Sequence, residues 1–200
     1  MRLHGWVTVA ALALVGCRRA PPPDDDAPRR KPASSVAAEP IDPARVIAPA
    51  SGRFRIVAPE GMTLKAEQVI DTPTAVGPLK LHFYQGIGPG EELGVTWADY
   101  PPGHATKIGP KQVLLGVQNG ALGGMGATLD TDQGGVRDGH PFRAFTFDVA
   151  ATATEKAGFG REYVTLDGDR LYQIMFIGAD RAAVESPRAR DWFASFAITR

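Results

Sequence analysis

The chain has 200 residues, of which 44% are hydrophobic, 8% aromatic and 22% charged, with 22 Lys and Arg balanced by 22 Asp and Glu. That length allows one domain of ordinary size, or one domain with a tail. A formal net charge of zero supplies no basic field for a run of phosphates, which sets nucleic-acid binding aside, and a single cysteine, Cys17, excludes an intrachain disulfide and thiolate chemistry in the folded part.

The amino terminus opens with Arg2 and His4, followed by an apolar run from Trp6 to Val15 that only Thr8 interrupts. About ten such residues are too few to cross a bilayer core, which takes about 20 in a helix. A short apolar stretch behind a basic flank is the pattern of a secretory signal peptide. Its end, Leu14-Val15-Gly16-Cys17, resembles the lipobox of bacterial lipoproteins. The resemblance implies a leader over 1–16, cleavage between Gly16 and Cys17, and a diacylglyceryl thioether on the Cys17 sulfur. Two or three acyl chains hold a protein on a membrane far more firmly than one. Arg18, where inner-membrane lipoproteins of many Gram-negative bacteria carry aspartate, favours the outer membrane by the same resemblance.

Residues 17–51 read as a lipidated cysteine and a disordered tether. Arg18 to Ser51 contains no aromatic residue but has Pro21, Pro22, Pro23, Pro28, Pro32, Pro40, Pro43 and Pro49. Such a segment buries too little surface to offset its ordering entropy. Extended as polyproline, it spans roughly 100 Å at most. Asp24-Asp25-Asp26 and Arg29-Arg30-Lys31 offset each other along it.

Residues 52–200 carry the pattern of a folded domain. Phe54, Ile56 and Ala58 alternate with polar neighbours before the turn at Pro59-Glu60-Gly61. A strand over 79–84 sets Leu79, Leu81 and Phe83 against Lys80, His82 and Tyr84. The next, over 93–100, aligns Leu93, Val95 and Trp97. Gly109-Pro110 starts a helix, because proline fits the first helical position. Val113, Leu114, Val117 and Ala121 make it amphipathic over 110–122, and Gly123-Gly124 stops it. Strands follow over 127–133, at Phe145, Phe147 and Val149, and over 159–166 and 171–177, the last two joined at Asp167-Gly168-Asp169. The strand over 171–177 is apolar on both sides, as a central strand is. Ser186-Pro187 opens a last helix, on which Trp192 and Phe193 face the sheet.

This order predicts a single α+β domain: an antiparallel sheet with a mid-chain helix and a carboxy-terminal helix packed on one face. It resembles the PsbP-like and DcrB-like fold over 52–200, on Phe54-Arg55-Ile56-Val57-Ala58-Pro59, the central helix and Trp192-Phe193-Ala194-Ser195-Phe196. Proteins of that fold are mostly non-enzymatic accessory or binding modules, and the resemblance implies the same here. A β-sandwich or small barrel with two added helices is the rival architecture.

No catalytic constellation emerges. His82, expected on an outward strand face, and His104 and His140, in loops, share no metal-ligand spacing, so no metal and no cofactor is expected. Gly86-Ile87-Gly88-Pro89-Gly90 leads into a strand and Gly123-Gly124-Met125-Gly126 ends a helix, so neither offers the helix amino terminus a phosphate needs. Asp130-Thr131-Asp132-Gln133-Gly134 begins like a calcium loop, but its twelfth position is Pro141 instead of glutamate. Ser51, Ser186 and Ser195 lie in no nucleophile elbow. Glu155, Glu162, Asp167 and Asp169 fall near turns, where carboxylates are usually solvated. Tyr84, Trp97 and Tyr100, with the Pro101-Pro102 loop, are the candidate surface patch, although Trp97 shares the apolar face of its strand and core packing is the better reading for it. The expected function is therefore a membrane-anchored binding or accessory module of the cell envelope, held by lipid on Cys17 and free to meet an envelope protein. The alternatives are an envelope enzyme of hydrolase type with a site assembled only by folding, and a small-ligand carrier.

Overall fold

The structure, a computed structural model, describes residues 41–74, 76–151 and 157–199. The leader over 1–16, Cys17, the tether as far as Pro40, and Glu155 lie outside the described residues.

Ordered structure begins before residue 52. The Asp42 carboxylate accepts from the Ala44 amide at 2.9 Å and opens a 3-10 turn over Pro43–Arg45. Strand β1 (Val46–Ile47) then pairs antiparallel with β2 (Phe54–Val57), and Ile47 is only 4% exposed. The expected tether boundary at Ser51 is thus corrected for these residues. Val46 and Ile47 are β-branched, so two residues suffice to add a strand to a waiting edge, a signal hidden among the prolines around them.

Strands β3 (Thr63–Leu64) and β4 (Gln68–Thr74) both pair with the long β5 (Gly77–Gly88), which pairs on its other side with β6 (Glu91–Asp99). Helices α1 (His104–Ile108) and α2 (Pro110–Met125) follow. The expected stop at Gly123-Gly124 falls inside α2, which ends at Gly126 in the left-handed region, φ 60. Strands β7 (Ala127–Arg137), β8 (His140–Val149), β9 (Gly158–Asp167) and β10 (Arg170–Gly178) complete the main sheet. Helices α3 (Arg181–Val184) and α4 (Pro187–Ala194) precede β11 (Ala197–Ile198), which pairs with β2. The Ser186 hydroxyl caps α4 by accepting from the Ala189 amide at 3.2 Å.

Among the described residues the main sheet runs β3-β5-β6-β10-β9-β8-β7, with β4 beside β3 on the same edge of β5, and the small sheet runs β1-β2-β11. All pairings are antiparallel, in a mixed α+β domain. At its centre the main sheet is covered on both faces, because alternate residues of β10 feed two separate cores. Tyr172, Ile174 and Phe176 join Phe54, Ile56, Trp97, Val184 and Trp192 on one face. Leu171 joins Phe145, Phe147, Val164, Leu166, Val113, Leu114 and Val117 on the other. The helices therefore lie on opposite faces, and their expected placement on one face is corrected. The small sheet occupies the α4 side together with that helix. The stripe of α2 made by Val113, Leu114, Val117 and Ala121 matches the other face of β8 and β9.

Candidate functional site

The proposed aromatic patch does not form as one surface. Trp97 is 2% exposed. It is stacked under His82 with ring centroids 4.6 Å apart and meets the edge of Phe54 at 5.4 Å. Tyr84 lies half-buried beside it at 6.1 Å. Tyr100 is buried in the other core, under α1 and α2, with its ring stacked on His104 at 4.8 Å. Trp97 lies in β6 and Tyr100 one residue past its end, and their difference in parity sends them to opposite faces.

Around Trp97 the polar groups close on one another. Glu67 meets His82 Nδ1 with one carboxylate oxygen at 2.7 Å and accepts from the Tyr84 hydroxyl with the other at 3.2 Å. Burial and the Glu67 charge together raise the Tyr84 phenol above its ordinary range. His82, expected to point outward, is thus held between a carboxylate and an indole. It keeps a partly solvated edge, and stacking on the buried Trp97 is what draws it toward this core.

The other histidines are also placed within the fold. His140 Nδ1 lies 3.2 Å from the Leu166 carbonyl and 3.8 Å from Asp167, and His104 rests on Tyr100. Among the described residues no group of three His, Cys, Asp or Glu is arranged to hold a metal ion. Among the described serines, the hydroxyls of two serve the backbone: Ser186 caps α4, and Ser195 Oγ accepts from the Val57 amide at 2.9 Å while donating to the Trp192 carbonyl at 2.8 Å; at Ser51 it is the backbone carbonyl that accepts from Arg170, at 2.6 Å.

Carboxylates near the β9–β10 turn secure the chain. Asp169 accepts from the Ala105 amide at 2.8 Å and the Gly103 amide at 2.6 Å, and these bonds hold its carboxyl below the usual range. Arg170 grips Asp99 through two bonds of 2.6 Å, which lower the Asp99 carboxyl as well. The first strand of the hypothetical calcium loop ends the same way: Asp130 pairs with Arg181 at 2.7 Å, and Asp132 with Arg143.

Glu162 is the exception. Expected to be solvated, it is 2% exposed on the face of β9 that also carries Val164 and Leu166. Its register partners are Phe145 on β8 and Met175 on β10. Gln173 Nε2 donates to it at 3.0 Å, and no ion pair reaches it among the described residues. Burial pushes the carboxyl up to about 7, against the smaller opposite pull of Gln173. In the same layer Gln118, on α2, accepts from Arg143 Nε at 2.8 Å, while its own buried Nε2 has no partner. Two hydroxyls there, Thr72 Oγ1 and Tyr100 Oη, are also buried and unpartnered. Nearby Gln85 accepts from Lys65 at 2.7 Å and donates to Glu92. A lone carboxyl beside a carboxamide can hold and release a proton; it is not a paired acid and base. Its parity with Val164 and Leu166 is the sequence signal that marks it as inward-facing.

No protein-family profile matches the chain, and no curated protein matches it. Among solved structures the chain is similar to cyanobacterial PsbP (CyanoP) from Synechocystis sp. PCC 6803, at 14% identity and a TM-score of 0.47, over 81% of this chain and 97% of that one. At that distance the likeness bears on no residue's role.

Proposed function

We propose that the chain is a lipid-anchored protein of the cell envelope whose folded part is a non-enzymatic binding or accessory module. The anchor reading rests on Leu14-Val15-Gly16-Cys17 at the end of a short apolar leader, and Arg18 favours the outer membrane. The module reading rests on one observation: the histidines, serines and paired carboxylates of the described fold are engaged in capping, stacking and cross-linking that fold. Between the two, the proline-rich segment gives the domain reach from the membrane.

Growth with an alkyne fatty acid tests the anchor. The wild-type chain takes up label and its mature amino terminus is Cys17, whereas Cys17→Ser takes up none. A mature chain that keeps residues upstream of Cys17 overturns the reading. Affinity capture from detergent-solubilised envelope, with Cys17→Ser as control, then returns a reproducible protein partner that depends on the anchor; repeated blank captures count against the module.

A further inference from the structure

We propose that α2 is a pH-responsive roof, closed over the main sheet while Glu162 is protonated and opening as that carboxylate ionises. This device belongs to the fold itself and is independent of the anchor. The two cores differ in how well their buried polar groups are matched. On the α4 face, the buried polar groups of the aromatic cluster are matched: Tyr172 donates to the Gly52 carbonyl at 3.0 Å and Trp192 Nε1 to the Met175 carbonyl at 3.1 Å. On the α2 face lie a buried carboxylate without a cation and a buried Gln118 amide without an acceptor.

Every element around Glu162 leaves its charge uncompensated. From β10 come Gln173 and Met175, and from β8 come Phe145 and, one pair along the same face, Arg143. Arg143 is already engaged by Gln118 and Asp132. Helix α2 contributes Gln118 and the apolar Val113, Leu114 and Val117; its one basic residue, Lys111, is exposed in the first turn. An ionised carboxylate in such a layer is relieved only by water or a cation, and either requires the layer to open.

The helix is intrinsically weak for its length, so its closure depends on the packing beneath it. Gly109 (φ 93) precedes it and Gly126 (φ 60) ends it, both in backbone conformations that favour glycine. No side chain caps its amino terminus, and no acidic residue sits in its first turn. Within it, Gly116 and Gly123 stand where a β-carbon would meet nothing within 4 Å, so packing does not require glycine there. These residues weaken α2 without tightening its fit. Burial that holds the Glu162 proton to about 7 places the transition near neutrality.

Hydrogen exchange of the full chain at pH 5.5 and pH 8, corrected for intrinsic exchange chemistry, tests the proposal by comparing 110–125 with 187–194 in α4. With the carboxyl moving from 4.5 when open to about 7 when closed, the opening equilibrium of α2 rises roughly thirtyfold between those pH values. Exchange from α4 stays level, and Glu162→Gln removes the rise. An equal response in α2 and α4, or an unchanged rise in Glu162→Gln, overturns it. Should that variant fail to fold, carboxyl-carbon NMR on the wild-type chain decides: a Glu162 midpoint at the ordinary glutamate value refutes the switch.

Discussion

Two tyrosines show how differently the same hydroxyl acts in the two cores. Tyr172 donates from a buried aromatic cluster to the Gly52 carbonyl at 3.0 Å, tying the approach to β2 to the central strand. Tyr100 is equally buried, yet its hydroxyl has no partner, and burial pushes its phenol to about 12. Removing a matched hydroxyl leaves its acceptor behind, whereas removing an unmatched one relieves desolvation. Tyr172→Phe is therefore expected to lose about 1 kcal/mol, and Tyr100→Phe to lose nothing or gain up to about 1 kcal/mol. Urea titration of both variants checks the pair, and a marked loss in Tyr100→Phe would show that its hydroxyl is engaged. The sequence could have separated Tyr100 from Trp97, since period two assigns them to opposite faces. The apolar strand face that Trp97 shares with Leu93 and Val95 marks it for the core, where it lies. Only folding could reveal that Glu67, outside any regular strand, turns back to meet His82 and Tyr84.

At the level of elements, glycine carries opposite meanings in α2 and β9. Gly160 lies under the Phe147 ring, where a β-carbon would collide with the ring, and paired strands flank it on both sides. Gly116 and Gly123 face open space in helical backbone. Alanine is favoured over glycine in a helix by about 1 kcal/mol. Gly116→Ala and Gly123→Ala should each raise stability by about 0.5–1 kcal/mol, while Gly160→Ala should lower it by about 1–3 kcal/mol through overpacking. Thermal melts of the three variants rank them; destabilisation by Gly116→Ala would mean that α2 meets something at that position. The same contrast explains where sequence reading of the elements stopped. The amphipathic stripe of α2 was plain, but Gly123-Gly124 imitates a terminator, and only the left-handed Gly126 performs that role. The hairpin of β9 and β10 was legible because Gly168 (φ 60) supplies the turn conformation that its strands require. Strand β1 was not, since two residues carry no period.

For the whole molecule, alternation along the strands was enough to predict an antiparallel α+β domain with β10 at its centre. It could not say how the helices divide between the faces, because the apolar stripe of a helix fits either side of a sheet buried on both. The division matters for stability, since it places the lone carboxylate in one layer and the carboxylates bound to cations or amides at the surface. Asp99, held low by Arg170, and Asp169, held low by the Ala105 and Gly103 amides, contribute stability above the ordinary carboxylate range and lose it as pH falls through their depressed values. Glu162 acts in the opposite sense. Its folded value of about 7 exceeds the ordinary 4.5, so its contribution is full below 4.5 and disappears as pH rises through 7. Stability should therefore peak on the acid side of neutrality and fall by about 3 kcal/mol toward pH 8, each unit of displacement being worth about 1.4 kcal/mol. Glu162→Gln keeps the shape of the side chain and removes the titration, so its urea midpoint should vary little between pH 5 and pH 8. Parallel declines in the two proteins over that interval would place the titrating group elsewhere and leave the buried glutamate a neutral bystander.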